Sequence, residues 1–302
     1  MTNERLIVSP SPHIHSKNTT QRIMLDVILA MLPILVASVI IFGFRALAVV
    51  AVCVVFCVFF EWGFEKICKR ENTVFDLSAV VTGMLLAFNL PASIPLWQAA
   101  FGSLVAIVVA KQLFGGIGKN FANPAIVGRI VLLLSFAGSM SNFAMKNDAV
   151  SSATPLSGGE MPSMLNLFLG NHGGSLGETC ALAILLGGAY LLVRRVISWH
   201  TPVVMLGTVA LLTLALGENP AEHLLTGGLL LGAFFMATDY TTTPSTQWGK
   251  VIFGAGCGLI TVLIRVFGSY PEGVSFAILF MNILTPYIEK WTRKRPFGGA
   301  KK

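Results

Sequence analysis

The nine residues Asp148-Ala149-Val150-Ser151-Ser152-Ala153-Thr154-Pro155-Leu156 lie in the longest polar break of a very hydrophobic sequence. Apolar runs of about 20 residues precede and follow this break, and that is the length an α-helix needs to cross a bilayer. The break therefore divides the chain into two hydrophobic halves. This pattern predicts an all-α, polytopic membrane protein.

The composition of the chain supports this prediction. Of its 302 residues, 54% are hydrophobic and 12% are charged, whereas a soluble domain carries about 25% charged residues. The net charge of +7 is explained by basic loops on the cytoplasmic side of the membrane, and nucleic-acid binding is not expected. Ten predicted transmembrane helices fit the apolar runs: about 23–44, 45–60, 77–90, 95–110, 123–137, 179–193, 201–216, 222–237, 251–267 and 274–288.

These spans predict five regions in the chain. A charged loop that begins at Glu61 and contains Glu65 is expected between the second and third spans. The regions are a cytoplasmic N-terminal segment 1–22, a first five-helix half 23–137, a polar loop 138–178, a second five-helix half 179–288 and a basic cytoplasmic tail 289–302.

The positions of the basic residues predict the orientation. Lys and Arg concentrate in cytoplasmic loops of membrane proteins. If both termini are cytoplasmic, 17 of the 21 basic residues lie on that side: Arg5, Lys17, Arg22, Lys66, Lys69, Arg70, Lys111, Lys119, Arg194, Arg195, Lys250, Lys290, Arg293, Lys294, Arg295, Lys301 and Lys302. This orientation puts the loop with Thr154 on the extracytoplasmic side of the cytoplasmic membrane.

A faint internal repeat suggests how the halves are related. Thr82-Gly83 and Thr226-Gly227 each lie in the third span of a five-span half. Because five is odd, two such halves have opposite orientations in the membrane. This is the inverted-repeat plan of many transport proteins, in which broken helices meet near the midplane. Chance matching of apolar residues is the alternative explanation.

Thr154 is sterically open to modification. Ala153 is small, and Pro155 fixes its own φ and biases Thr154 toward an extended backbone. Such a hydroxyl suits attachment of a bulky group. An ordinary Ser/Thr/Pro loop has the same composition, and that interpretation stays open.

Polar residues within the predicted spans are the other functional candidates, because polar groups at membrane depth are costly. Asn120, Asn123 and Arg129 begin the fifth span, and Asp239 follows the eighth. We interpret them as lining a path for a bound cofactor or an ion. Arg129 has a second interpretation, in which its side chain snorkels to the inner face. Near the end of the ninth span, Arg265 is a candidate partner for Glu272 or for a cofactor phosphate.

Several classes of site are not predicted. The sequence has no GxGxxG motif that opens a helix after a strand, so no nucleotide-binding domain is expected. Cys53 and Cys57 lie one helical turn apart in an apolar run, which is typical of packing, and no metal site is predicted.

The chain resembles the family of RnfD and NqrB membrane proteins. The similar segments are Ser11-Pro12-His13, Asn120-Phe121-Ala122-Asn123-Pro124-Ala125, Gly128-Arg129, Asp148 to Leu156, Phe235-Met236-Ala237-Thr238-Asp239-Tyr240, Gly268-Ser269-Tyr270-Pro271-Glu272-Gly273-Val274 and Met281-Asn282. In that family the motif usually has Gly where this chain has Ser152.

The resemblance implies covalent FMN, joined to Thr154 by a phosphoester bond within a motif that includes Asp148, Ser151, Ser152 and Ala153. It also implies a flavin transferase for maturation and a second, non-covalent flavin, riboflavin, among the helices. The chain would be one component of an Rnf-type complex with other subunits similar to A, B, C, E and G. Such a complex passes electrons between ferredoxin and NAD and moves Na⁺ or H⁺ across the membrane.

Three functions compete at this point. The first is the flavin-carrying, ion-coupling subunit, in which electrons pass between Thr154 and the inner face through the second flavin and flavin charge biases the two halves. The second is a channel or transporter with the architecture of urea and ammonium channels. The third is a structural membrane anchor. Flavin fluorescence on a denatured gel band favours the first, and solute flux through the purified chain favours the second.

Overall fold

A computed structural model describes residues 19–143, 163–170, 172–268 and 273–293. Regular structure in these ranges is helical. In chain order, the helices are α1 Thr20–Phe42, α2 Phe44–Ile67, a 3₁₀ turn Val74–Asp76, α3 Ser78–Phe88, α4 Leu96–Leu104 with a π-helical continuation Val105–Gln112, α5 Pro124–Ser135, α6 Ala137–Met140, α7 Met164–Leu169, α8 Ala181–Val193, α9 His200–Ala215, α10 Pro220–Leu225, α11 Leu229–Leu231 with a π-helical continuation Gly232–Met236, α12 Gln247–Phe267 and α13 Val274–Thr292.

Three helices are long and apolar enough to cross a bilayer by themselves, namely α1, α2 and α12. Five shorter apolar segments accompany them: α3, α4 with its continuation, α5, α8 and α9. The chain is thus an all-α membrane protein, and each predicted apolar run contains helix.

The end of the second predicted span is wrong. We expected a charged loop from Glu61, yet α2 continues to Ile67. Glu61 and Glu65 are buried on this helix and accept hydrogen bonds from Lys111, Gln112 and Thr73. Because these partners compensate the carboxylates, the helix does not have to end where the charges begin.

The helices pack in a recurring order. In the first half α2 contacts α3 and α4, and α5 packs on α4 and its continuation. In the second half α9 contacts α10 and α12, and α13 packs on α12. The halves meet through α1 against α8 and α5 against α13.

The bundle has two ends. Thr20, Ile67 and Val193 lie at what we call the basic end, where Arg194 donates to Asp26 at 3.1 Å and Arg70 donates to the backbone oxygen of Gln112 at 2.9 Å. At the opposite end Arg45, just after α1, donates to the backbone oxygens of Ala92 and Ile94. The third segment of each half is short or broken between these ends.

Gly187 sets the distance between α1 and α8. A Cβ added at Gly187 would lie 2.2 Å from the backbone oxygen of Ala30. We expect Gly187→Val to push these helices apart and to cost about 1–3 kcal/mol, the usual range for overpacking. The measurement is the thermal stability of the detergent-solubilised complex. Gly207→Val on α9 is the matched control, since a Cβ there meets nothing within 4 Å. Equal loss of stability in both variants would contradict this role for Gly187.

Candidate functional site

The central cavity lies between the two halves, near the basic end. It encloses about 90 Å³, and its polar lining includes Ser78, Lys111, Asn120, Asn123, Thr238 and Asp239. Apolar residues of α1, α3, α8 and the π-helical segment after α11 form the remaining wall. Polar groups from both halves therefore face one space between the packed helices.

Asp239 follows the broken third segment of the second half. Its carboxylate accepts hydrogen bonds from the backbone N–H and hydroxyl of Thr241, at 3.1 and 3.0 Å, and from the hydroxyl of Thr242 at 3.4 Å. In the described ranges, no basic nitrogen lies within ion-pair distance of this carboxylate. Hydroxyl and backbone donors therefore hold the Asp239 carboxyl group, without an ion pair in the described ranges.

Asn120 and Asn123 line the same cavity as Asp239. Asn120 donates to the Thr241 hydroxyl at 3.2 Å, while its own amide oxygen is buried and has no hydrogen-bond partner in the described part of the chain. Asn123 caps α5 by accepting from the Ala125 N–H at 3.0 Å. The cavity thus offers an unsatisfied amide oxygen close to a carboxylate.

Asn282 of α13 links the loop that carries Asp239 to the start of α5. In the orientation that satisfies both ends of its amide, it donates to the Thr242 backbone oxygen at 3.2 Å and accepts from the Asn123 N–H at 3.1 Å. This side chain fixes the loop that carries Asp239 against the start of α5.

Arg129 does not line the cavity. Its guanidinium is buried and donates to Asn89 at 3.2 Å and to Ser275 at 2.6 Å. The snorkelling interpretation is therefore wrong, because these partners hold the side chain among α3, α5 and α13. Arg129, on α5, connects the end of α3 in the first half with α13 in the second half.

Arg265 also has a structural role. It donates to the backbone oxygens of His223, Thr226 and Gly227, at 2.6, 2.9 and 3.1 Å. These oxygens lie where α10 ends and α11 has not begun, so the guanidinium satisfies the broken helix. Its suggested partner Glu272 lies outside the described residues.

A wide mouth connects the central cavity to the basic end. It encloses about 670 Å³, and it shares Ile117, Val196, Tyr240 and Thr241 with the cavity. Partial burial, with the Asp239 carboxyl nearby, raises the pKa of Tyr240 to about 12, so this phenol remains protonated at neutral pH and can donate a hydrogen bond at the mouth. The mouth and the central cavity are therefore adjacent, since they share these four lining residues.

Two buried charges of this region were not among the predicted site residues. Lys111 is 2% exposed and Glu61 is 0% exposed, and their side chains are 2.6 Å apart. The available signal was the i, i+4 spacing of Glu61 and Glu65, which places two carboxylates on one helix face. The predicted Asp148, Ser151, Ser152, Ala153 and Thr154 lie outside the described residues.

A family model and several related proteins all place this chain in the same family. The NQR2, RnfD, RnfE family matches residues 7–298. The chain is 48% identical over 311 residues to the D subunit of the Na⁺-translocating ferredoxin:NAD⁺ oxidoreductase complex of Acetobacterium woodii, covering 100% of this chain and 98% of the relative. It is 41% identical over 316 residues to the D subunit of the proton-translocating ferredoxin:NAD⁺ oxidoreductase complex of Clostridium ljungdahlii, with 96% of each chain covered. It is 36% identical over 337 residues to the D subunit of the ion-translocating oxidoreductase complex of Marinobacter nauticus, covering 98% and 96%. By this full-length similarity the chain belongs to the NQR2, RnfD, RnfE family.

Proposed function

We propose that this protein is the RnfD component of an Rnf-type complex, which couples electron transfer between ferredoxin and NAD to translocation of Na⁺ or H⁺. The observation that carries the proposal is similarity over essentially the whole chain to the corresponding components of such complexes. The other subunits provide the sites for ferredoxin and NAD. This chain contributes the membrane scaffold, the flavins and the path for the ion.

Two flavins are part of the proposal. FMN is attached through a phosphoester to Thr154, with Asp148, Ser151, Ser152 and Ala153 completing the motif. A second flavin, riboflavin, binds without a covalent bond at the central cavity and the adjoining mouth. When bound, these groups supply one-electron and two-electron redox chemistry that the side chains of the protein lack.

The residues of the cavity are suited to a flavin ring or a small cation. The unpartnered amide oxygen of Asn120 can accept a hydrogen bond from a ring N–H or coordinate a cation. Asp239 attracts positive charge, and Lys111 on the same wall attracts negative charge. The broken third segments leave room for these groups without a steric penalty from a continuous helix.

Acid extraction tests the flavin assignment. After the purified complex is precipitated with acid, we expect flavin fluorescence both in the protein pellet and in the supernatant. Asn120→Leu removes the amide at the cavity wall, so the supernatant flavin should decrease while the pellet flavin stays unchanged. A supernatant without flavin would reject the second site.

We further propose ten membrane-crossing segments in two inverted halves. The support is the matching order of helix packing, together with similar helix starts, since α3 and α11 each begin after a residue with positive φ, Leu77 at 64° and Gly228 at 65°. If the two halves are aligned on these helix starts, Leu77 corresponds to Gly228. This alignment differs from the one that pairs Thr82-Gly83 with Thr226-Gly227. Both termini are cytoplasmic, and the Thr154 loop is extracytoplasmic.

Cysteine labelling tests the orientation. Cys68 is exposed at the basic end, whereas Cys53, Cys57 and Cys257 are buried. We expect a membrane-impermeant maleimide to label Cys68 in inside-out vesicles and not in intact spheroplasts. In a Cys68→Ser background, Asp148→Cys should show the reverse pattern. Labelling of Cys68 in spheroplasts would contradict the proposed orientation.

A solute channel is the second candidate function, and the mouth that leads into the cavity is the observation in its favour. The full-length similarity to components of ferredoxin:NAD⁺ oxidoreductase complexes favours the redox complex.

A further inference from the structure

A hydrogen-bonded cluster of charged residues lies at the basic end, beside the central cavity. Lys111 donates to Glu61 Oε1 at 2.6 Å, and Gln112 donates to the same oxygen at 2.9 Å. The Thr73 hydroxyl has one proton to donate and lies within hydrogen-bond distance of both Glu61 and Glu65, and the Thr73 backbone N–H donates to Glu65 Oε2 at 3.2 Å. The cluster joins α2, the loop before α3 and the end of the α4 segment.

The cluster lacks positive charge. Glu61 and Glu65 carry two negative charges, and Lys111 supplies one positive charge. Asp76 adds a further carboxylate, which accepts from the Ser78 N–H and hydroxyl, and the Arg70 guanidinium is directed to the Gln112 backbone oxygen. At least one carboxylate of the cluster therefore has no ion-pair partner in the described ranges.

A proton bound at Glu61 Oε2 can supply the missing positive charge. All donors to this carboxylate approach Oε1, while Oε2 is buried and has no hydrogen-bond partner in the described ranges. A buried carboxylate oxygen without a partner is costly, and binding a proton removes the buried charge. Oε2 of Glu61 is therefore a natural protonation site.

The cluster also connects two compartments. Thr73 lies in the loop after α2, next to the exposed residues Glu71 and Asn72. At the other side, the Lys111 ammonium donates to Ser78 Oγ at 2.6 Å, and both residues line the central cavity. The chain of contacts runs from the surface loop through Glu61 to the cavity wall.

We propose that Glu61 and Lys111 form a route that delivers protons from the basic end to the central cavity. Lys111 gives a proton to a base in the cavity and becomes a neutral amine. The carboxyl group of protonated Glu61 then rotates, so that its O–H takes the place of Oε1 beside Lys111, and transfers the proton to that amine. This restores the ammonium and the carboxylate, and Glu61 regains a proton from solvent at the basic end. The identity of the base, the reduced flavin ring, rests on the function proposed above.

The test uses the assembled complex and Glu61→Gln, which keeps the size and one hydrogen-bonding oxygen but cannot carry a proton. Proton uptake during reduction is followed by stopped flow with a pH indicator. We expect uptake about 100-fold slower than in the wild type, within the range that general acid–base groups contribute, and recovery on addition of azide, a small diffusible acid. Glu71→Gln, a change of the exposed carboxylate in the same loop, should match the wild type.

A wild-type rate in Glu61→Gln, or a slow rate that azide does not change, would overturn the proposal. If Glu61→Gln does not assemble, Glu61→Asp retains the acid at a longer distance and should show a smaller decrease that azide also reverses. Redox difference infrared spectra give a readout that does not depend on turnover, since a carboxylic C=O band should be present in the wild type and missing in Glu61→Gln. A wild-type complex without extractable flavin would reject the proposed flavin at the cavity. In that case an infrared pH titration of the carboxylic C=O band would still test whether Glu61 binds and releases a proton.

Discussion

Thr154→Ala is expected to remove covalent flavin from the protein and to reduce ferredoxin:NAD electron transfer to the background of a complex that lacks this protein. The hydroxyl is the only atom of this side chain that can form the phosphoester, and no side chain of the scaffold can replace the lost redox group. Flavin fluorescence of the denatured band and NADH formation from reduced ferredoxin measure the two effects.

Ser151→Ala is the matched control, because it removes a neighbouring hydroxyl of the same motif and leaves Thr154 in place. We expect weaker flavin loading at most, with electron transfer in proportion to the flavin retained. Electron transfer at the wild-type rate in Thr154→Ala would instead support the structural-anchor function.

Asp239→Asn is expected to leave both flavins bound and to weaken cation coupling. The substitution keeps the hydrogen bonds with the Thr241 and Thr242 hydroxyls possible, but it removes the one carboxylate on the cavity wall that the described residues provide. Losing a charged partner costs about 1.5–3 kcal/mol, which corresponds to a roughly 10- to 150-fold loss of cation affinity. Ion uptake into proteoliposomes, measured against ion concentration during electron transfer, gives this value.

Glu218→Gln provides the control for Asp239→Asn. Glu218 lies at the opposite end of the bundle with its side chain 55% exposed, so this variant changes the same net charge without touching the cavity. Unchanged ion affinity in Asp239→Asn, or an equal decrease in both variants, would exclude Asp239 as the residue that attracts the ion.

The helices were predictable from the sequence because hydrophobic runs report burial in lipid directly. The end of α2 was not, because Glu61 and Glu65 are compensated by Lys111 and Gln112, about 50 residues later in the chain. In the sequence alone, a run of charged residues indicates a loop. Only the fold shows that these charges are paired.

The same limit applies to the site. Asn120, Asn123 and Asp239 are recognisable in the sequence as polar residues at membrane depth, yet their proximity depends on how the two halves pack, since Asn120 bonds to Thr241 across 121 residues. Arg129 and Arg265 carry the same sequence signal. They instead bind a side-chain amide, a hydroxyl and backbone oxygens near broken helices, because interrupted segments leave polar groups that a buried guanidinium can satisfy.

The cavity and the Thr154 loop have separate tasks in the proposed function. Residues at the cavity wall bind the second flavin, attract the ion and deliver protons. Thr154 holds a redox group on the other side of the membrane. Electron flow between these places would cross the bundle, and the interface of α1 with α8 and of α5 with α13 is where the two halves could shift against each other.

Mass spectrometry of the peptide that contains Thr154, taken from the mature complex of cells that make the flavin transferase, tests the central claim most directly. We expect a mass increment equal to FMN joined by a phosphoester, with fragment ions that assign it to Thr154. A peptide with a bare Thr154 in the mature complex, or with the flavin on another residue, would contradict the proposed function.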